Sequence, residues 1–478
     1  MHKVYRFSYC NIVAVHSVDS KGGLFRERNK RHIIPAQFSD RGSPLFGEKL
    51  WRIFPESLWN NELLHANIYK RGWVFQERML SPRILHFAEN QIFWDCGTVS
   101  ACETAPFALP QPLDNIAATD RHWRGRLQAL ATPGAGPVSG ANDDSIEEFW
   151  RAALLNYSSC NLTKQKDKTI AIWSIAKLVR DIIREEYGCG MWEHGLQEQL
   201  AWRVADVRRC ERVAELQWRN PSWSWGSVKG PVLARDRLAL GRCYFVRNHD
   251  GQPITFSSPT VSLPAQASGP SHKTDDGLGI SVLESTSVTS ERDKEPILKD
   301  TSISIQGQIC YGTLQGDNLG SAFSIIVAKT TPIAVGGSRS LHAFPDEMPG
   351  PDSFNPHACR FVVTAVSEQK FKSRVTYSGI GMLLATPKEF RNCYNKQLPE
   401  LRGRLAKFPI DGNSWDKNSL IEDIDAVHKL LAQLTEQEER SMASQPHYRR
   451  VGAVEFRDID EETWMELRKG PMEKFWLV

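Results

Sequence analysis

The ten cysteines of this 478-residue chain stand at 10, 96, 102, 160, 189, 210, 243, 310, 359 and 393, and no two form a Cys-x-x-Cys pair. A zinc ribbon or a thioredoxin-like motif is therefore unsupported. Dense disulfide frameworks belong to short secreted chains, so these cysteines read as buried free thiols of a reducing compartment. No apolar run approaches the ~18–20 residues that a membrane helix needs. The opening Met1-His-Lys-Val-Tyr5 lacks the apolar core of a signal peptide. An excess of one charge is also missing. With 59 basic and 56 acidic residues the net charge is +3, which gives no electrostatic case for nucleic acid or an anionic membrane surface. There is no phosphate-binding Gly-x-x-x-x-Gly-Lys loop, no Gly-x-Gly-x-x-Gly after a strand, no His-Glu-x-x-His and no solenoid repeat. The expectation is a soluble, intracellular, cytoplasmic chain with no resident metal or cofactor.

What is present is more specific. The length suits two or three domains, and 41% apolar with 24% charged residues is ordinary for a globular protein. Fifteen tryptophans are many. Several cluster at Trp192, Trp202, Trp218, Trp223 and Trp225, where they read as core rather than as a ligand platform. The organising stretch is 71–106. Trp73, Gln76, Glu77 and Leu80 recur at spacings of three and four, placing them along one side of a short helix. Ser81-Pro82 ends that helix, because the residue before proline is pushed out of the α region. Two β-rich runs follow, 83–87 and 91–96, joined by Ala88-Glu89-Asn90, which is about hairpin-loop length. This reading buries Trp73 and Phe87.

The stretch resembles the fungal heterokaryon-incompatibility (HET) domain. Its late signature is matched here by Arg71, Trp73, Gln76, Glu77, Leu80, Ser81, Arg83, Trp94 and Cys96. A second stretch agrees: Met1, Val4 and Tyr5, then Asn11-Ile-Val-Ala-Val15 and the run from Asp19 to Phe25 resemble the family's Met-x-x-Val-Tyr, its next apolar strand and its Asp-x-x-x-Gly-Leu-Phe. Pro221-Ser-Trp-Ser-Trp-Gly226 is similar to the Trp-Ser-Trp segment found downstream of such domains. The family's earlier Trp-Ile-Asp strand and Cys-Ile-Asn-Gln-type segment have no counterpart, so the expectation is a chain lacking the N-terminal half of the HET domain and not active alone. The resemblance implies fungal non-self recognition leading to growth arrest and programmed cell death. It also implies a protein partner or sensor, with oligomerisation admitted. The family has been compared with the Toll/interleukin-receptor fold, whose enzymatic members cleave NAD. The alternative is therefore an NAD-consuming cell-death effector, with NAD as a substrate of the intact domain.

The expected fold is α+β. It combines a partial α/β domain over 1–105, a connection and helical segment over 106–220, and an antiparallel β-rich domain over 221–478. Residues 9–15 read as a strand covered on both faces in a parallel sheet. Residues 106–140 read as a long connection with a short helix near 120–130. Helices are expected at 145–157, 167–187 and 191–204. Strands are expected at 223–228, 242–247, 302–311, 322–328, 361–366, 380–385, 449–456 and 474–478, forming an antiparallel sheet or irregular barrel. Residues 257–296 are too rich in Ser, Thr, Pro, Gly and charge to order themselves. Residues 396–445 form a helical insertion with one helix over 419–442.

Glu77 is the candidate catalytic residue. A carboxylate among apolar neighbours has its charged form disfavoured, the setting used for acid–base work. Arg71, Arg78 and Arg83 offer the competing reading, an ion-paired brace, and that reading is favoured. Cys96, Cys102, His86 and Glu103 lie close in sequence, but Cys-x5-Cys matches no common zinc spacing. No local signature places a base beside a nucleophilic cysteine. His65 reads as a surface residue.

Overall fold

The computed structural model describes residues 2–19, 21–39, 50–129, 144–183, 186–193, 195–235, 256–257, 301–315, 323–327, 340–348, 358–371, 374–409, 414–470 and 472–478. The fold is α+β. The N-terminal part holds α1 (His2–Arg6), β1 (Asn11–Ala14), and an exposed antiparallel pair, β2 (Ala36–Phe38) with β3 (Trp51–Ile53). Then come α2 (Gly72–Leu80), β4 (Arg83–Phe87), β5 (Ile92–Cys96) and β6 (Ser100–Cys102). These build a four-stranded sheet in the order β1-β4-β5-β6, in which β1 and β4 run parallel with Asn11 opposite Ile84 and Ala14 opposite Phe87.

The expected two-sided burial of residues 9–15 is corrected. Among the described residues β1 is the edge strand, and Ile12 is 56% exposed. With β4 as its single neighbour, the run packs from one side, Val13 and Val15 joining the core beneath the sheet.

The helix–hairpin of 71–96 forms as its spacing predicts. Arg71 is extended, α2 ends at Ser81, and the Ser81 hydroxyl donates to the Glu77 carbonyl at 2.7 Å. Gly72 is required where α2 meets the next segment, since a Cβ there would stand 2.5 Å from the Leu162 side chain. The buried positions differ from expectation. Val74, Phe75, Gln76, Met79 and Leu80 are buried, whereas Trp73 is half-buried with its indole N–H donating to Asp167 at 3.4 Å. In β4 the inward residues are Ile84 and His86, and alternation leaves Phe87 half-buried, edge-on to Phe25 at 5.7 Å.

Over 111–129 the expected connection with a short helix near 120–130 is corrected to one long helix. α3 spans Gln111–Ala129, and Pro110 and Pro112 sit at its start, where a missing N–H costs no helical bond. α4 (Asp144–Ser158) and α5 (Lys168–Ile183) follow. The expected helix over 191–204 is replaced by a two-residue strand at Met191–Trp192, a single turn at Leu196–Gln199 and a second short strand at Arg203–Val204.

The expected strand at 223–228 is also corrected. It is a set of turns ending in a 3-10 turn, Trp225–Ser227. Serine hydroxyls satisfy the backbone locally and displace a ladder. Ser224 Oγ accepts from Gly226 N at 2.9 Å, and Ser227 Oγ donates to the Ser224 carbonyl at 2.7 Å. The indoles fill the core. The Trp202 indole donates to the Trp223 carbonyl (2.8 Å), that of Trp223 to Thr301 (2.8 Å), and that of Trp225 to Gly190 (2.6 Å). One apolar cluster runs from α2 through α4 and α5 to Leu477.

The C-terminal half is a closed sheet. β7 (Ile303–Gln315), β8 (Phe323–Ile326), β9 (Ser340–Pro345), β10 (Cys359–Phe371) and β11 (Arg374–Ala385) precede helices α6 (Pro387–Ala406) and α7 (Ser414–Ala443). β12 (His447–Asp460), α8 (Glu461–Leu467) and β13 (Met472–Leu477) complete the chain. The hydrogen-bonded order is β7-β8-β9-β12-β11-β10, and β10 pairs back onto β7, closing an antiparallel ring. Closure removes the exposed edges that an open sheet must protect. α6 and α7 are inserted between β11 and β12, and α6 opens with a full capping box, Thr386 with Glu389. The expectations for 242–247 and for 258–296 lie outside the described residues.

Candidate functional site

Glu77 sits half-buried on α2 and accepts a hydrogen bond from the Tyr5 hydroxyl. Burial raises its carboxyl above the usual value; the Tyr5 bond and the Arg71 charge pull the other way without reversing it. The Tyr5 hydroxyl is pushed up to about 12, first by burial and then by the Glu77 charge. The arginines of the competing reading are placed otherwise. Arg78 pairs with Asp120 at 2.5 Å, and Arg83 donates to the Tyr9 carbonyl at 3.2 Å while its guanidinium lies 5.0 Å from the Tyr9 ring. Glu77 is thus held by a phenol and desolvated, with Arg71 acting on it electrostatically.

The other signature residues are structural neighbours of a buried polar network. Gln76, Leu80 and Ser81 are fully buried, and Trp94 and Cys96 are half-buried on β5. Burial raises the Cys96 thiol, but hydrogen bonds from Thr98 and Val99 outweigh it and lower the thiol overall. Beneath the sheet, Tyr69 Oη and His86 Nδ1 share a hydrogen bond of 2.5 Å. Asp95 accepts from Arg124 at 2.5 Å and from Ser100 at 2.9 Å, and Arg121 ties Ser100 to Asp114. Complete burial drives His86 down to about 3, so its ring is neutral. Both Asp95 oxygens and Arg124 Nη2 are paired, while Arg124 Nε and Nη1 and His86 Nε2 are buried without a hydrogen-bond partner among the described residues; the Asp95–Arg124 pair is a brace that fixes α3 under β5. Cys102 lies buried in β6, and Glu103 accepts from the Ile92 backbone at 2.7 Å and from Arg28. Among the described residues no group of three His, Cys, Asp or Glu side chains is placed to hold a metal ion.

A cleft of about 300 Å³ opens elsewhere, at the carboxyl ends of the parallel strands β1 and β4. Two other cavities lined by described residues, of about 10 Å³ each, hold no more than a water molecule. The large cleft is lined by Val15, His16, Ser17 and Val18 beyond β1, by Glu89 in the hairpin loop, and by Asn61, Glu62, His65, Ala66 and Asn67. Those last residues come from a π-turn, Asn60–Leu64, closed by His65 N–H to the Asn60 carbonyl at 2.9 Å, and from the 3-10 turn after it. Such turns are rare and recur at functional sites. The amide of Asn90 donates to Glu62 Oε1 at 2.8 Å, and His16 Nδ1 lies 3.6 Å from Glu89 Oε2.

The desolvated carboxylate and the cleft are separate places in the structure. Glu77 is desolvated but does not line this cleft. The cleft residues come from 15–18, 61–67 and 89, three segments with no shared motif. The one local signal was the polar density of Asn60-Asn61-Glu62 and His65-Ala-Asn67 in a stretch of weak periodicity. His65, expected on the surface, is exposed but forms a wall of the cleft.

Residues 1–77 match the family model described as Heterokaryon incompatibility protein (HET). The match takes in Arg71, Trp73, Gln76 and Glu77 and ends before Leu80, Ser81, Arg83, Trp94 and Cys96. No curated protein and no solved structure matches the chain.

Proposed function

We propose that this HET-segment protein serves fungal non-self recognition, that its output is growth arrest and programmed cell death, and that it acts from the cytoplasm with a protein partner rather than alone. The match over residues 1–77 carries the first part, supported by the signature of 71–96 folding as one helix–hairpin unit. The free thiols at Cys102, Cys310 and Cys359, all buried, favour a reducing compartment. No helix among the described residues is long and apolar enough to cross a membrane. Dependence on a partner is supported by the open edge of β1 and by Val4, Phe7 and Ile12 exposed around it, since such an edge accepts a strand from another polypeptide.

The second reading, an NAD-consuming effector, is favoured by one observation: two carboxylates and two imidazoles converge on a cleft at the ends of parallel strands. Expression of the chain in a fungal host separates the readings. The expected result is normal growth and unchanged NAD when the chain is expressed alone. NAD depletion and death from the chain alone would overturn partner dependence and make it an enzyme. In that event, Glu77→Gln and Glu62→Gln identify the site, because each keeps shape and removes charge. Loss of depletion in the first but not the second would assign catalysis to α2.

A further inference from the structure

The cleft between His16 and His65 has a chemistry of its own. Its polar lining consists of two carboxylates (Glu62, Glu89), two imidazoles, two carboxamides (Asn61, Asn67) and the Ser17 hydroxyl, and it contains no lysine or arginine. Phosphate recognition relies on guanidinium or ammonium groups, and none lines this cleft; the four-residue 3-10 turn that opens at Asn67 is too short to act as a helix N-terminal anion site. Carboxylates are pure acceptors and carboxamides both donate and accept, a combination that matches a vicinal diol. An acidic side chain beside a βα switch point reads ribose hydroxyls in the same way. Val15 and Ala66 supply apolar surface against which a ring's C–H face can lie. The site is set in advance: Asn90 orients Glu62, the π-turn fixes the spacing of Asn61, Glu62 and His65, and Val15 N–H is pinned to the Phe87 carbonyl at 2.9 Å.

We propose that this cleft binds the cis-diol face of an uncharged sugar ring, either a free sugar or the ribose of a nucleoside. A volume of about 300 Å³ is at the lower end for small-molecule sites, which suits one ring system at a time. The inference rests on the cleft alone and stands whether or not the chain depletes NAD or needs a partner.

Calorimetric titration of the full chain tests it with ribose, adenosine, 2′-deoxyadenosine and inorganic phosphate as probes. Adenosine and ribose are expected to bind and phosphate is not. Loss of one diol hydroxyl is expected to weaken adenosine by about tenfold, the worth of a hydrogen bond to a charged group. Adenosine binding far tighter than ribose assigns a nucleoside; equal affinities assign a free sugar. Glu89→Gln, at an exposed loop position, and Glu62→Gln are each expected to weaken binding by about tenfold with an unchanged melting temperature. Equal affinity for adenosine and 2′-deoxyadenosine, binding of phosphate, binding that survives both substitutions, or binding of none of the probes would overturn the proposal.

Discussion

Trp202, Trp223 and Trp225 are each about 1% exposed, and each indole N–H meets a backbone carbonyl, whereas Phe7, Tyr9, Ile12, Phe25, Leu50 and Trp51 stand in solvent. Most of the large apolar side chains exposed among the described residues fall between Val4 and Ile53. The two regions are built from similar residue types with opposite results. In the tryptophan-rich core the buried aromatics share one apolar cluster with residues of the helices and of the closed ring of strands. In the N-terminal region β1 is the edge of its sheet among the described residues, and Val4, Phe7, Tyr9 and Ile12 stay exposed while only Val13 and Val15 pack beneath it. The comparison teaches that burial is concentrated in the enclosed part, whereas exposed apolar surface is concentrated in the segment that matches the HET model.

The comparison breaks most visibly in the core. Trp202→Ala removes a fully buried indole and the ring stacked under the Arg450 guanidinium, which lies 3.5 Å from its centroid. It is expected to cost ~3–5 kcal/mol in chemical denaturation, while Trp51→Ala changes stability by less than about 0.5 kcal/mol. Similar costs for the two would erase the distinction. Asp346→Asn attacks the same core through charge. Asp346 accepts from both Arg212 and Arg450 at full burial, and removing its charge strands two guanidinium groups, at an expected ~3–5 kcal/mol. Gly190→Ala is milder. Gly190 has φ +84°, and a Cβ would stand 2.5 Å from the Trp225 indole nitrogen. About 1–3 kcal/mol is expected from strain and overpacking together.

A pH titration sharpens the boundary between the two regions. His86 is held neutral by burial down to about 3, next to Tyr69, Asp95, Arg124 and Arg78. An unfolded histidine takes up its proton near pH 6.5. Between those values the unfolded chain binds more protons, so stability is complete above about 6.5 and declines as pH falls toward 3. The decline from this group is up to about 1.4 kcal/mol per pH unit. His86→Gln is expected to flatten the slope, read by urea denaturation from pH 7 to pH 4. An unchanged slope would show that another group carries the acid sensitivity.

Legibility from sequence followed the same division. Local spacing was enough for α2, for its stop at Ser81-Pro82 and for the β4–β5 hairpin, because those features are set within a few residues. The strands 302–311, 361–366, 380–385 and 449–456 were visible by alternation, though their extension to β7, β10, β11 and β12 depends on partners across the ring. Residues 223–228 failed because Trp-Ser-Trp alternates like a strand while its serines bond their own backbone. Residues 9–15 failed for a different reason: an apolar run shows what a strand is fit to bury but not how many neighbours it has. Phe87 followed from that error, whereas Trp73 sits at the margin of the main core beside Asp167, a partner 94 residues away that spacing cannot show. Glu77 was singled out by composition, and the desolvation expected of it is present. The cleft was out of reach because it is assembled from three loops around a π-turn, and loops carry no period.

The smallest expected effect tests the exposed side of the comparison. Ile12 lies on edge strand β1 at 56% exposure, with the strand's outward amides unpaired by any other described strand. Lysine at an edge position is a natural guard against strand addition, because a charge cannot be desolvated in a new sheet interface. Ile12→Lys should therefore leave stability within about 0.5 kcal/mol of the parent, yet suppress association through β1. Sedimentation velocity over a range of concentrations reads the second property and thermal denaturation the first. The parent chain is expected to show reversible association that the lysine variant lacks, at the same melting temperature. A drop of several degrees in the variant would mean that Ile12 is enclosed in the native protein, and β1 would then belong with the core. A parent chain that remains monomeric at every concentration would mean that the edge is already guarded, removing the support that it lends to partner dependence.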